Sequence, residues 1–329
     1  MQYSQIVGQN EIKQSLINGI EQSKLSHCYV FEGPKDMGKF KLAVTFAQSL
    51  FCNNFNQEEP CESCNDCIKV NSMNHPDLHI LDVEEKTIKR EVVDELISDI
   101  YKKPYESSRK IFIINNAHLM TVQAANTFLK TLEEPPKDTI IILLTTNINL
   151  LLPTIVSRCQ VVKFKNISTK EIQKYLTKNY EVDDAKASLI ANYSKGILNK
   201  AVNIINDNDE ILSKRSEIIN VFDKIIKSDE EIIFNLENYF EEQKDNIDEI
   251  IEIMMLWIRD ITYLKNNLQN LLINKDLKDL LSEHSFLFKK SSGDDIINYL
   301  QKVSDNIKNN VNYKLTIDKM LLKIQEEFK

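Results

Sequence analysis

The chain has 329 residues, a formal charge of −8, 42% hydrophobic and 27% charged residues, and only 6 Gly. That balance excludes a disordered or fibrous polymer and describes a folded, helix-leaning protein long enough for two or three domains; three are expected. The acidic surplus disfavours a free-standing DNA binder, since the average surface repels phosphate.

Residues Met1 to Asn10 lack the basic-then-apolar order of a secretion signal, and the strongest apolar run, Ile140 to Leu144, is too short to span a bilayer, so a cytoplasmic location is expected. From Cys28 onward, short β-type runs alternate with helical stretches. Cys28 to Glu32, Leu78 to Leu81, Lys110 to Asn115, Ile140 to Thr146 and Gln160 to Phe164 read as strands. Apolar spacing predicts helices over Lys39 to Leu50, Lys89 to Tyr101 and Val122 to Glu134, the last stopped by Pro135 and Pro136. The alternation predicts a parallel-sheet α/β domain over residues 1–166.

The strand signal ends after Lys165. Ser168 and Glu171 fit a capping box, and helical stretches around Ala185 to Tyr193 and Ile197 to Ile205 complete a small three-helix unit, 167–208. A polar stretch, Asn206 to Asp209, leads into an all-helical domain, 209–329, with a second capping box at Ser228 to Glu231 and an apolar-striped segment from Ile247 to Leu264.

Cys52, Cys61, Cys64 and Cys67 are spaced C-x8-C-x2-C-x2-C between the first helix and second strand of the α/β domain. Four thiolates at such spacing can close a tetrahedral shell around structural zinc and leave no open position for a catalytic water. A pair of disulfides would require an oxidising compartment, which the amino terminus does not support. His75 and His79 are close enough in sequence to support the metal shell, but packing or surface roles suit them better. Cys28 and Cys159 read as isolated, buried small residues.

Gly33 to Phe40 (GPKDMGKF) follows a strand and opens a helix, the setting of a phosphate loop. Gly33 and Gly38 would let backbone N–H groups curl around phosphates, and Lys39 would reach the β and γ positions. The pattern then needs a Ser or Thr hydroxyl for magnesium, where Phe40 offers no oxygen. The strand Ile111 to Ile114 should end in two acids, one for the metal and one to polarise water, but ends in Asn115 and Asn116. Hydrolysis by this pocket is not expected, whereas binding of a nucleotide, or a loop that merely packs, both remain open.

Arg158, in Ser157-Arg158-Cys159, is one of few arginines in a chain that otherwise draws positive charge from lysine. Its planar, permanently charged group suits a γ-phosphate in a neighbouring subunit; an internal salt bridge or a surface cation is the alternative.

Taken in order, Val7-Gly8-Gln9, His27 to Gly33, the four cysteines, Asn126 to Pro136 (NTFLKTLEEPP) and Ser157-Arg158-Cys159 resemble the bacterial clamp-loader AAA+ family of the DNA polymerase III holoenzyme. The resemblance covers nearly the whole first domain. It implies an α/β domain, a helical lid and a helical collar through which unlike subunits form a ring. Within the family the chain resembles the δ′ kind, which keeps an arginine finger but not its own hydrolytic site, rather than the complete γ/τ motors. At the lid position where relatives often carry a nucleotide-sensing arginine stands Asn199. The partners so implied are γ/τ and δ subunits, with the sliding clamp and primed DNA reached through the assembly. Two rival readings are an active γ/τ-type ATPase with other magnesium ligands and a zinc-dependent DNA-binding module.

Overall fold

The computed structural model describes residues 1–56, 58–83, 87–206, 210–227, 230–289, 293–309 and 311–328. It divides into two compact units, one of Met1–Ala187 with Tyr193–Val202, the other of Ser188–Asn192 with Asn203–Lys329.

In the first unit five strands, β1 (Cys28–Glu32), β2 (Leu78–Leu81), β3 (Lys110–Ile114), β4 (Thr139–Thr145) and β5 (Gln160–Lys163), form one sheet in the order β2-β3-β4-β1-β5. Every pairing is parallel, and β1 lies between β4 and β5. The continuous apolar runs of β1, β3 and β4 arise because a parallel sheet is covered on both faces. Tyr29, Phe31, Ile111, Ile113, Ile140 and Ile142 face one core with Leu42 and Phe46. Cys28, Val30, Phe112, Ile114, Ile141 and Leu143 face the other with Val93, Phe128 and Leu132. The alternation along each strand is the period of two that a pleated backbone imposes.

Helix α1 (Asn10–Glu21) precedes β1, and α2 (Lys39–Phe51), α3 (Asn65–Asn71), α4 (Arg90–Tyr101), α5 (Val122–Glu133) and the single turn α6 (Pro153–Val156) lie between successive strands. Thr121 caps α5 by accepting from the Ala124 N–H, and the two prolines end the helix at Glu133. α7 (Thr169–Asn179) opens on the expected capping box, with both Ser168 and Glu171 side chains bonded to backbone N–H groups. α8 (Asp184–Tyr193) and α9 (Leu198–Asn206) follow. Between them Gly196 adopts φ +81 and its carbonyl accepts from the Ile167 N–H at 2.9 Å. A Cβ there would stand 2.6 Å from that of Asn166, so only glycine permits this approach.

The second unit is helical: α10 (Glu210–Lys227), α11 (Glu230–Glu242), α12 (Ile247–Lys265), α13 (Lys278–Leu287), α14 (Asp294–Lys308) and α15 (Tyr313–Phe328). α12 buries Ile250, Ile251, Met254, Trp257, Ile258 and Ile261, matching its apolar stripe. Asp260 on the same helix is fully buried and accepts from the Ile273 and Asn274 N–H groups at 3.0 and 2.8 Å, so its charge is met by donors. The second capping box and most of the polar stretch after Asn206 lie outside the described residues. Among the described residues no helix is long and apolar enough to cross a membrane.

Candidate functional site

β1 ends at Glu32 and delivers the chain into the loop Gly33 to Gly38, from which α2 starts at Lys39. Gly38 has φ +81, a left-handed conformation that aims the loop's backbone at the helix start. The Lys39 ammonium is turned inward and donates to the carbonyls of Gly33 and Pro34, both at 2.6 Å. Two of its three protons are thus spent on its own loop, and burial lowers its pKa from the ordinary lysine value. A phosphate entering here would have to win the lysine from two carbonyls.

The positions expected to carry metal and water chemistry stand at the same edge of the sheet and carry none. Asn115 follows β3, and its amide donates to Asp82 Oδ1 at 3.0 Å, while Asn116 takes a left-handed turn with φ 50. His118, whose pKa burial lowers with the charge of Lys39 adding to the effect, lies 3.4 Å from Thr145 Oγ1 at the end of β4. Asp82 could not be picked out from the sequence, because its approach depends on β2 lying beside β3.

Arg158 occupies the opposite edge. It precedes β5, whereas Gly33 follows β1, and these strands run parallel, so a strand length of roughly 15 Å separates them. Its side chain is one-third exposed and forms an ion pair with Glu133 at 2.7 Å. It also donates through Nη1 to the Thr154 carbonyl at 2.9 Å and Ser157 Oγ at 3.3 Å. The salt bridge that stood as the alternative to a trans-acting role is therefore present, on a group that still faces solvent.

The four cysteines of the insertion converge, with one sulfur from each lying within 4.8 Å of the others. Cys61 and Cys67 Sγ are 3.9 Å apart. Tetrahedral thiolates at 2.3 Å from a zinc-sized ion would be separated by about 3.8 Å, so the donor set fits such an ion. Backbone N–H groups of Cys61 and Cys64 point at Cys52 and Cys61 sulfur, each at 3.3 Å. Hydrogen bonds from the Cys64 and Ser63 backbone pull the Cys61 thiol down to about 6, while burial pushes Cys52 and Cys67 up. A cation held here would supply what the Cys52 and Cys67 thiols lack, a partner for their charged forms. The insertion is tied to the body by Glu59, which accepts from the Tyr3 and Ser4 N–H groups at 2.6 and 2.7 Å, and by Gln48, which donates to the Cys67 carbonyl at 3.2 Å.

Both nearby histidines serve packing. His75 is buried and stacks on Phe51 at 4.1 Å, and His79 stacks on Phe112 at 4.6 Å. The expectation for Cys28 and Cys159 needs correction: they are not isolated but joined in a disulfide, with Cα atoms 4.7 Å apart. The register pairs Tyr29 with Gln160, so the residue before each falls side by side in the parallel ladder.

Residues 8–168 match a family model described as DNA polymerase III, delta subunit, and residues 209–326 match its C-terminal counterpart. DNA polymerase III subunit delta' of Bacillus subtilis is 32% identical over 320 residues, spanning 97% of this chain and 96% of that protein. The chain belongs to the DNA polymerase III delta' family. Subunit tau of the same bacterium is 33% identical over 213 residues, but these are 62% of this chain and 37% of tau. Among solved structures, a gamma subunit-related protein from Thermotoga maritima aligns over 96% of this chain and 99% of its own, with 19% identity and a TM-score of 0.46. In this delta' family member the sequence located the loop, the two asparagines, the cysteine cluster and Arg158. It missed Glu133, which stands inside the run NTFLKTLEEPP but meets its arginine only across 25 residues of chain.

Proposed function

We propose that this chain is the non-hydrolysing delta' subunit of a bacterial clamp loader. It works in the cytoplasm within a hetero-oligomer of γ/τ and δ subunits that places the sliding clamp on primed DNA. Its parts are an AAA+ domain, 1–166, a lid, 167–208, and a collar, 209–329. Arg158 completes the ATP site of a neighbouring γ/τ subunit. Cys52, Cys61, Cys64 and Cys67 hold zinc, which stabilises an insertion too small to fold on a core of its own.

The observation that carries this reading is the combination of a loop that keeps its shape with the loss of the hydroxyl and the two carboxylates that turnover needs at these positions. Phe40, Asn115 and Asn116 offer neither a magnesium hydroxyl nor an acid nor a base. Removing one preorganised electrostatic group commonly costs about 100-fold or more in rate, and three such groups are gone here. The guanidinium of Arg158, at the far edge of the sheet, cannot serve its own loop but is open to another. It would spread positive charge over the equatorial oxygens of a γ-phosphate as that group separates. The chain's own pocket, through Gly33, Gly38 and Lys39, binds nucleotide weakly if at all, because Lys39 must first leave two carbonyls.

A second reading has one observation in its favour: Asp82 brings a carboxylate beside Asn115, where magnesium would sit in an active ATPase. Clamp- and DNA-stimulated ATP turnover separates the two. The delta' reading expects no turnover by the chain alone, turnover by the complex with γ/τ and δ, and a loss on the order of 100-fold or more in a complex carrying Arg158→Ala. Turnover by the chain alone, abolished by Lys39→Ala and Asp82→Asn, would overturn it.

A further inference from the structure

Arg158 does not hang free at the sheet edge. A guanidinium has five N–H donors in a rigid plane. Both Nη1 protons are committed, to the Thr154 carbonyl and Ser157 Oγ, and one Nη2 proton goes to Glu133. What remains is the Nε proton and one Nη2 proton, two donors that no described residue takes up and that the oxygens of an oxyanion can accept from. Thr154 and Ser157 belong to the turn of α6 and its end, next to Arg158 in sequence, and by themselves hold only Nη1. Glu133 comes from a different element and fixes the second nitrogen, so the tilt of the plane about the Cδ–Nε bond and the swing of the side chain are both set.

The placement of Glu133 is itself informative. It is the last residue of α5, a helix anchored by the fully buried Phe128 and the nearly fully buried Leu132. A carboxylate at a helix C-terminus faces the negative end of the dipole and is locally unfavourable. The ion pair with Arg158 offsets that cost, yet with side-chain exposures of 34% and 50% it adds little to the stability of the fold. Its effect is on orientation.

We infer that Glu133 is a positioning residue for Arg158, holding the guanidinium so that its two uncommitted protons meet an oxyanion held by a neighbouring subunit. The inference rests on the reading of Arg158 as a trans-acting group. Its test uses the reconstituted complex of full-length chain, an active γ/τ subunit and δ, with clamp, primed DNA and ATP. Glu133→Ala should lower kcat by about two- to fivefold, the range an exposed ion pair commands, with KM for ATP unchanged. Glu133→Gln keeps an acceptor oxygen and should restore most of the rate. Arg158→Ala should lower kcat much further, and the double variant should be no slower than Arg158→Ala, because Glu133 then has nothing to hold. If Glu133→Ala leaves turnover unchanged or raises it while Arg158→Ala is slow, or if the two losses multiply in the double variant, the inference falls and the reading of Arg158 stands. A wild-type rate in Arg158→Ala would remove the reading itself, and the inference with it.

Discussion

The sole tryptophan of the chain makes one buried network in the second unit directly observable. Trp257 Nε1 donates to His284 Nδ1 at 3.0 Å, and on the other side of the ring His284 Nε2 donates to Asp223 Oδ1 at 2.8 Å. Asp223 also pairs with Lys227 at 2.6 Å, and Glu283 is the remaining charge near the imidazole. His284→Phe keeps a ring in the cavity and removes the acceptor for Trp257, leaving a buried N–H unsatisfied. That costs about 1–3 kcal/mol; Asp223 keeps Lys227 and adds little. Urea unfolding followed by tryptophan fluorescence reads the loss. The pH dependence follows from the same geometry. Burial holds the His284 pKa below the ordinary histidine value, against the opposing pull of Asp223. The unfolded chain therefore takes up the proton first, and stability is lost as pH falls from about 6.5 towards the lower folded value. The slope for one such group reaches about 1.4 kcal/mol per pH unit. The other four histidines, at 27, 75, 79 and 118, are in the first unit, and the carboxylates with lowered pKa here, Asp223 and Asp276, titrate further down, so between about pH 6.5 and 5 the tryptophan-reported slope belongs to His284. A destabilisation under about 0.5 kcal/mol, or a slope between about pH 6.5 and 5 that survives the substitution, would refute the reasoning.

Two further outcomes concern the cysteines. If the four cysteines hold zinc as proposed, chelation, or Cys67→Ser at the most buried of them, should release one ion per chain and unfold the segment around α3, seen as new protease cleavage there; an unchanged digestion pattern in metal-free protein would show that the cluster needs no ion. The Cys28–Cys159 disulfide spans 131 residues, and in oxidised protein loop-closure entropy assigns it about 5 kcal/mol over the reduced pair that a reducing cytoplasm maintains. The first unit should therefore melt well below its oxidised midpoint once reductant is added, and Cys28→Ser should abolish that difference; equal midpoints with and without reductant would contradict the assignment.

Much of the α/β unit was legible because burial on both faces writes β1, β3 and β4 as unbroken apolar runs, and their ends differ from expectation by at most one residue. The Ser168 capping box was legible for a different reason: both its bonds are local, within four residues of sequence. What escaped depends on register and on neighbours distant in the chain. Cys28 looks like any small core residue until β5 is laid beside β1, and nothing near Glu133 in sequence says that Arg158 will reach it. The same limit applies to Lys39, whose spacing marks it as a phosphate ligand but cannot reveal that its protons are already taken by Gly33 and Pro34.

The placement of Gly33 and Arg158 at opposite ends of parallel strands gives this molecule a direction. A contact that brings one subunit's arginine to another's loop joins two unlike faces, so it is heterologous and can in principle repeat without closing. A row made only of this chain would nevertheless be chemically silent, since every arginine would arrive at a loop followed by Phe40 and flanked by asparagines. Productive neighbours must differ from it in sequence while sharing its shape. If Arg158 acts in trans as proposed, the asymmetry of the assembly is written into a single sheet, as a face that gives and a face that has nothing to receive for.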